Sequence, residues 1–324
     1  MARAMRRESI QGSLWPEDLE RPVETVTWSY SRRDVLEKCA RRYYYEYYGA
    51  TAPAEPDKVE VSRLKRVQNR YERAGAILHF VIAAYLRAAR KGEMWTTERL
   101  LRWAATIFAD DRNYSLADPD GAAPPTKTFP PALLREFHYR EPDAAEKIRE
   151  VEQRLTVALS AFLSGPVFAP FRVAGTHEDA LIEARLALKT LPCRVTGQID
   201  LAYPGERFTV IDWKMGAGDG SGDDSLQLAV YALWAHTARG VASDALAVYK
   251  AHLGGNAVQP FRVSDQLLAS ARARVLQDAE RMAFLARYGN DGVAEAFTPN
   301  PHRAVCALCS YQRLCPGGKV FLDD

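Results

Sequence analysis

The sequence predicts an α/β fold in which a mostly helical first half precedes a sheet flanked by helices. Three observations carry this. Residues 178–189, 194–203 and 207–214 alternate or run apolar as strands do, and Pro204-Gly205-Glu206 between the last two is a turn, so they read as a hairpin within a sheet. Helical spacing over about 224–239 and from 265 to about 288 brackets two further strands near 245–251 and 258–263. The composition, 47% hydrophobic and 26% charged over 324 residues, is that of an ordinary globular protein and excludes disorder, collagen-like repeats and a disulfide-dense miniature.

In chain order, residues 1–28 mix charges with Pro16 and Pro22 without a sustained period and are expected to form an irregular leader. A helical region is expected over 29–174. It opens with Ser31 as N-cap before Val35, Leu36 and Cys39, and then Tyr43, Tyr44, Tyr45, Tyr47 and Tyr48, whose rings should pack while their hydroxyls reach solvent or partners. Residues 61–90 hold seven basic side chains against Glu72 alone, and Arg63, Arg66, Arg70 and Arg73 fall at i, i+3, i+7 and i+10, one stripe of a helix. Such a stripe is either a solvated face or a contact for phosphates. Five prolines between Pro119 and Pro131 cannot continue a helix and read as an insertion or joint. Helical signal resumes over 143–163 and stops at Gly165-Pro166, and a core domain is expected over 175–290, followed by a C-terminal segment, 291–324. No repeat of 20 to 50 residues is present.

The formal net charge is only +2, from 43 Lys and Arg against 41 Asp and Glu, so any electrostatic site is local. No run approaches the ~20 apolar residues of a membrane span, and the first residues lack the apolar core of a signal peptide, so a cytoplasmic protein without a membrane partner is expected. Five cysteines in that compartment are buried hydrophobes, nucleophiles or metal ligands rather than disulfides.

On the strand 208–214, alternation puts Asp212 and Lys214 on one face and Ile211 and Trp213 on the other. A hairpin centred on Glu206 sets Asp200 opposite Asp212. Two acids and a lysine then share one patch. Neighbouring carboxylates repel unless a divalent cation joins them, and the lysine can hold or activate a water or steady charge on a phosphate oxygen. A charged sheet face of no chemical role has the same pattern.

Gly197-Gln198-Ile199-Asp200, then Ile211-Asp212-Trp213-Lys214, then Gln227-Leu228-Ala229-Val230-Tyr231 on a helix resemble motifs II and III and the QxxxY box of the PD-(D/E)XK nuclease superfamily, specifically its RecB-like exonuclease branch. Gly75-Ala76-Ile77-Leu78-His79 fits the upstream Gly-x-x-x-His helix of that branch. The resemblance implies a restriction-endonuclease-like core with a mixed central sheet flanked by helices. It further implies that Asp200, Asp212 and His79 ligate Mg²⁺ or Mn²⁺, that Lys214 works on the attacking water, and that Gln227 and Tyr231 line a DNA groove. Without it, His79 reads as a core histidine and Gln227 with Tyr231 as an ordinary helix face. Glu183, on the preceding strand, reads first as a surface acid and second as a carboxylate near the metal.

Cys306, Cys309 and Cys315 have C-x2-C-x5-C spacing, and Cys39 lies far upstream; four thiolates suit either tetrahedral zinc or an iron-sulfur cluster, and spacing does not separate them. Iron-sulfur members of the same branch, AddB-type subunits and CRISPR adaptation exonucleases, carry one cysteine in an N-terminal helix and three after the nuclease core. The resemblance therefore implies a 4Fe-4S cluster on Cys39, Cys306, Cys309 and Cys315, with Ala40 departing from the proline usual after the first cysteine. Cys193 lacks ligand spacing and reads as a buried hydrophobe. The expected function is a metal-dependent DNA nuclease of repair, recombination or defence. The other readings are a catalytically idle DNA-binding or scaffolding module, which an intact Asp200, Asp212 and Lys214 speaks against, and a nuclease subunit beside a helicase. The chain has no G-x-x-x-x-G-K-[ST], so any motor is a separate polypeptide.

Overall fold

The computed structural model of the chain describes residues 26–118, 129–188, 193–218 and 224–322. Nearly all of the expected leader, and residues 119–128 of the proline-rich stretch, lie outside these. Six strands form one mixed sheet: β1 (Thr27–Trp28), β2 (Leu181–Leu188), β3 (Arg194–Tyr203), β4 (Phe208–Lys214), β5 (Leu246–His252) and β6 (Ala257–Phe261). This is the α/β architecture the sequence predicts. β3 and β4 pair antiparallel from Leu201↔Ile211 to Tyr203↔Thr209, the register of a hairpin centred on Glu206. β4 runs parallel to β5, and β6 closes the sheet as an antiparallel edge strand, where Pro260 lacks no partner a central strand would need.

Two features of β3 place the site. Val195 pairs with both Trp28 and Leu188, and Leu201 with both Ile182 and Ile211, so β2 fills one edge of β3 while β1 and β4 share the other. Between them that edge forks at residues 196–200. On the β2 side the ladder runs from Leu181↔Ala202 to Leu188↔Val195 but skips Glu183 opposite Asp200, and Glu183 has φ +48°. Alternation reverses there: Leu186, Val195 and Ile199 join one apolar core, whereas Ile182 and Leu201 join the other.

The helices cover both faces. α1 (Tyr30–Lys38) is capped by Ser29, not the Ser31 expected, with the Ser29 side chain accepting from the Arg32 N–H. Cys39 is extended (φ −165°, ψ 112°) and separates α1 from α2 (Ala40–Tyr44), which runs on into a π-turn at Tyr45–Gly49. The tyrosines pack through their rings, with Tyr43, Tyr44, Tyr45 and Tyr48 buried, and Tyr44 finds a partner for its hydroxyl in buried Glu55 at 2.8 Å. These residues join α7 (Ser225–Arg239) and α8 (Asp265–Asp291) in one core. On the other face α4 (Arg70–Arg90), α5 (Thr97–Ala117) and α6 (Ala144–Ser164) pack on Leu201, Ile211 and Trp213.

The arginine stripe does not form. The helix α3 (Lys58–Leu64) ends before a two-residue strand, Val67–Gln68, and Asn69 starts α4 afresh with a capping box to Glu72. Arg63 pairs with Glu60 at 2.7 Å, and Arg70 with buried Glu136 at 2.9 Å. Arg73 is buried and bidentate to Asp111 at 2.7 and 2.8 Å, with a further bond to the Pro130 carbonyl at 2.9 Å. Asp111 also takes the Ala132 N–H at 2.7 Å. Arg73 is thus a structural clamp, not a phosphate contact. Arg73→Met should lower unfolding free energy by about 3–5 kcal/mol in urea melts, because it strands a buried carboxylate. Arg63→Ala should cost about 1 kcal/mol or less, and equal effects would contradict the distinction.

Candidate active site

The fork in the sheet is faced by one side of α4, where Ala76, His79, Phe80, Ala83 and Arg87 follow helical spacing and line a cleft of about 510 Å³. Its floor carries Glu183, Asp200, Asp212 and Lys214, and α7 adds Gln227 and Tyr231. His79 Nδ1 lies 3.2 Å from Asp200 Oδ1 and 3.4 Å from Glu183 Oε1. The three residues bring one ligand atom each within 4.8 Å of the others. Glu183 therefore belongs to the site, and its reading as a surface acid is corrected: strict alternation hides it, because the reversal at Glu183 re-aims the side chain toward Asp200 and leaves it only 13% exposed.

Asp200 sits where β3 and β4 part, and its Oδ2 accepts the Trp213 N–H at 2.7 Å, in place of a carbonyl from a neighbouring strand. Asp212 is 1% exposed; its Oδ2 lies 3.0 Å from Lys214 Nζ, yet that oxygen accepts no properly directed hydrogen bond. Lys214 donates to Gln227 Oε1 at 3.0 Å, Gln227 Nε2 to Tyr231 Oη at 2.8 Å, and Tyr231 Oη to the Gln198 carbonyl at 2.7 Å. The Gln198 amide in turn donates to Glu183, which closes a ring of contacts around the acids. Three residues not singled out as site residues in the sequence support it. Lys250, opposite Asp212 in the β4–β5 register, pairs with Asp224 at 2.8 Å; Asp224 lies 3.6 Å from Lys214 and accepts from Tyr30 Oη at 3.3 Å. No local spacing relates Tyr30, Asp224 and Lys250, so only the fold could reveal them.

Burial pulls the His79 imidazolium down, but Asp200 and Glu183 outweigh it and hold it well above its ordinary value. Burial, then Asp200, raise Asp212 well above the usual carboxylate range against the pull of Lys214. Burial also raises Glu183. Burial opposes the charge on Lys214, yet Asp212 and Asp224 prevail and raise it. Carboxylates this crowded and this dry are short of positive charge. A hard-oxygen set with one imidazole, and an orphaned buried carboxylate oxygen on Asp212, fit Mg²⁺ or Mn²⁺.

The cysteines occupy a separate place. Cys306, Cys309 and Cys315 are buried in the C-terminal segment, and burial pushes the Cys309 thiol up to about 12, against Arg42. Cys39 and Cys315 both act electrostatically on Cys309, and Cys39 on Cys315. Among the described residues, however, no three sulfurs lie within 4.8 Å of one another. Cys193 is buried, as expected. A family model for the PD-(D/E)XK nuclease superfamily matches residues 27–316. No curated protein sequence matches the chain.

Glu183→Ala should weaken Mn²⁺ affinity by about 10- to 100-fold in calorimetric titration of the folded protein. Unchanged affinity would remove Glu183 from the ligand set.

Proposed function

The chain belongs to the PD-(D/E)XK nuclease superfamily, and from that premise we propose that it is a Mg²⁺- or Mn²⁺-dependent deoxyribonuclease, an exonuclease of the RecB-like branch. The observation that carries this is the meeting of His79, Glu183 and Asp200 beside the buried Asp212–Lys214 pair at the floor of an open cleft. His79, Glu183, Asp200 and Asp212 would hold the ion. When bound, such an ion polarises a phosphoryl oxygen and acidifies a water at neutral pH.

The side chains supply the rest. Lys214 is held by Asp212 and Gln227, with Asp224 3.6 Å away, and from there its ammonium would orient the attacking water or meet charge on a phosphate oxygen. Tyr231 fixes Gln227, and so fixes Lys214, by anchoring to the Gln198 carbonyl. In the reaction the water gives up a proton to solvent as its oxygen bonds to phosphorus, the ester P–O bond breaks, and the leaving alkoxide takes a proton from solvent. A helicase or other DNA-processing subunit is the kind of partner such exonucleases work beside.

We also propose that Cys39, Cys306, Cys309 and Cys315 hold one 4Fe-4S cluster of mainly structural role. The burial of Cys306, Cys309 and Cys315 within one short C-terminal segment supports it. Binding Cys39 together with residues 306–315 also closes a very long loop, whose entropic cost grows only slowly with length.

Asp212→Ala and Lys214→Ala should each abolish Mn²⁺-dependent cleavage of labelled DNA while the melting temperature stays close to the parent's; full activity in both would end the catalytic assignment. Protein purified without oxygen should be brown. Cys39→Ser should bleach it and lower the melting temperature, whereas Cys193→Ser should leave the colour intact. Zinc without iron in elemental analysis would reject the cluster.

A further inference from the structure

A row of half-buried aromatic rings, packed against the core of α4, α5 and α6 yet still partly open to solvent, leads out of the cleft. Phe80 and Phe129 line the cleft and are stacked, 4.2 Å apart with planes 9° from parallel. Trp103 on α5 lies 5.1 Å from Phe80, and Trp95, in the connection before α5, lies 5.7 Å from Trp103. All four rings are only partly buried. Arg99 sits 4.3 Å over Trp95, and exposed Arg87 stands on the cleft wall. Met94, beside Trp95, is 93% exposed. The acids of this region are already engaged: Glu93 accepts from the Trp95 indole at 3.1 Å, and Glu98 pairs with Arg102 at 3.0 Å.

We propose that Phe80, Trp103 and Trp95 form a base-stacking lane that delivers single-stranded DNA to the cleft, with Arg87 and Arg99 meeting its phosphates. This rests on the nuclease reading and narrows its substrate to an unpaired strand. Aromatic faces interleaved with arginines bind unpaired bases because every base has a π-face, whatever the sequence. A duplex keeps those faces stacked on one another and offers phosphates and base edges instead. The lane is continuous with the cleft through Phe80, which follows His79 in sequence, so a base on Phe80 has its backbone next to the acids.

The test is equilibrium binding of the full-length chain, in EDTA, to labelled oligothymidylate and to a duplex of the same length. The parent should prefer the single strand. Trp95→Ala, in a connection between helices, and Trp103→Leu, which keeps apolar volume, should each weaken oligothymidylate binding at least about fivefold with little change on duplex. Trp103→Phe should restore most of the affinity. No loss, or an equal loss on both forms, overturns the lane; Trp95→Ala decides the matter if Trp103→Leu melts early. Parent protein that selects single strands in EDTA but cleaves nothing with Mn²⁺ would overturn the nuclease reading and leave the lane standing. Cleavage with unchanged selectivity in Trp95→Ala would do the reverse.

Discussion

One interrupted pair in the sheet, Glu183 opposite Asp200, is the constraint on which the site depends. A regular ladder would have kept β3 joined to β4 and sent Glu183 away from Asp200. Instead Glu183 takes a left-handed φ, which costs a non-glycine residue about 1–3 kcal/mol, and the Asp200 carboxylate serves the Trp213 N–H that would otherwise lack a partner at the fork. The distortion is tolerated because both sides of it are firmly packed. Trp213 is locked edge-on against Phe162 and Phe171, while Ile199 and Val195 are buried in the opposite core. The same local strain therefore opens the cleft and gathers the acids at its floor.

The ring from Lys214 through Gln227, Tyr231 and Gln198 to Glu183 gives that floor a defined shape. Each member is held by another through a side-chain hydrogen bond, so the lysine is placed before any substrate arrives. Helix α7 enters this ring through side chains one turn apart, which is why a glutamine and a tyrosine four residues apart can act together. Asp224 adds a second anchor at the start of the same helix and gives Lys250 somewhere to point other than at Asp212.

Legibility in the sequence followed the range of the forces involved. Period and turn chemistry are local, so the strands, the 206-centred register and the placement of Asp212 with Lys214 on one face could be read directly. The arginine stripe failed because its spacing assumed one helix, whereas Asn69 and Glu72 begin a new one, and because Asp111, 38 residues beyond Arg73, captures that arginine. Glu183 reads first as a surface acid because a reversal of alternation leaves no mark in composition. Tyr30, Asp224 and Lys250 meet only through the β4–β5 pairing and the docking of α1, and contacts of that kind have no sequence period.

The C-terminal segment illustrates how distant parts of this chain become interdependent. Its backbone carbonyls are taken one after another by donors from the first half: Arg41 bonds the Phe297 carbonyl at 2.9 Å, Asn69 that of Leu308 at 3.3 Å, Arg135 that of Cys309 at 3.2 Å, and Tyr139 that of Ser310 at 2.7 Å. Asn69 is also the cap of α4, the helix that carries His79. The cysteine segment thus braces the first turn of the helix whose ninth residue beyond Arg70 faces the acids, roughly 14 Å along the axis. A cap is worth about 0.5–2 kcal/mol and acts within its own turn, so disturbing this segment loosens the start of α4 before it moves His79. The separation allows stability to be set at one end of the helix and chemistry at the other.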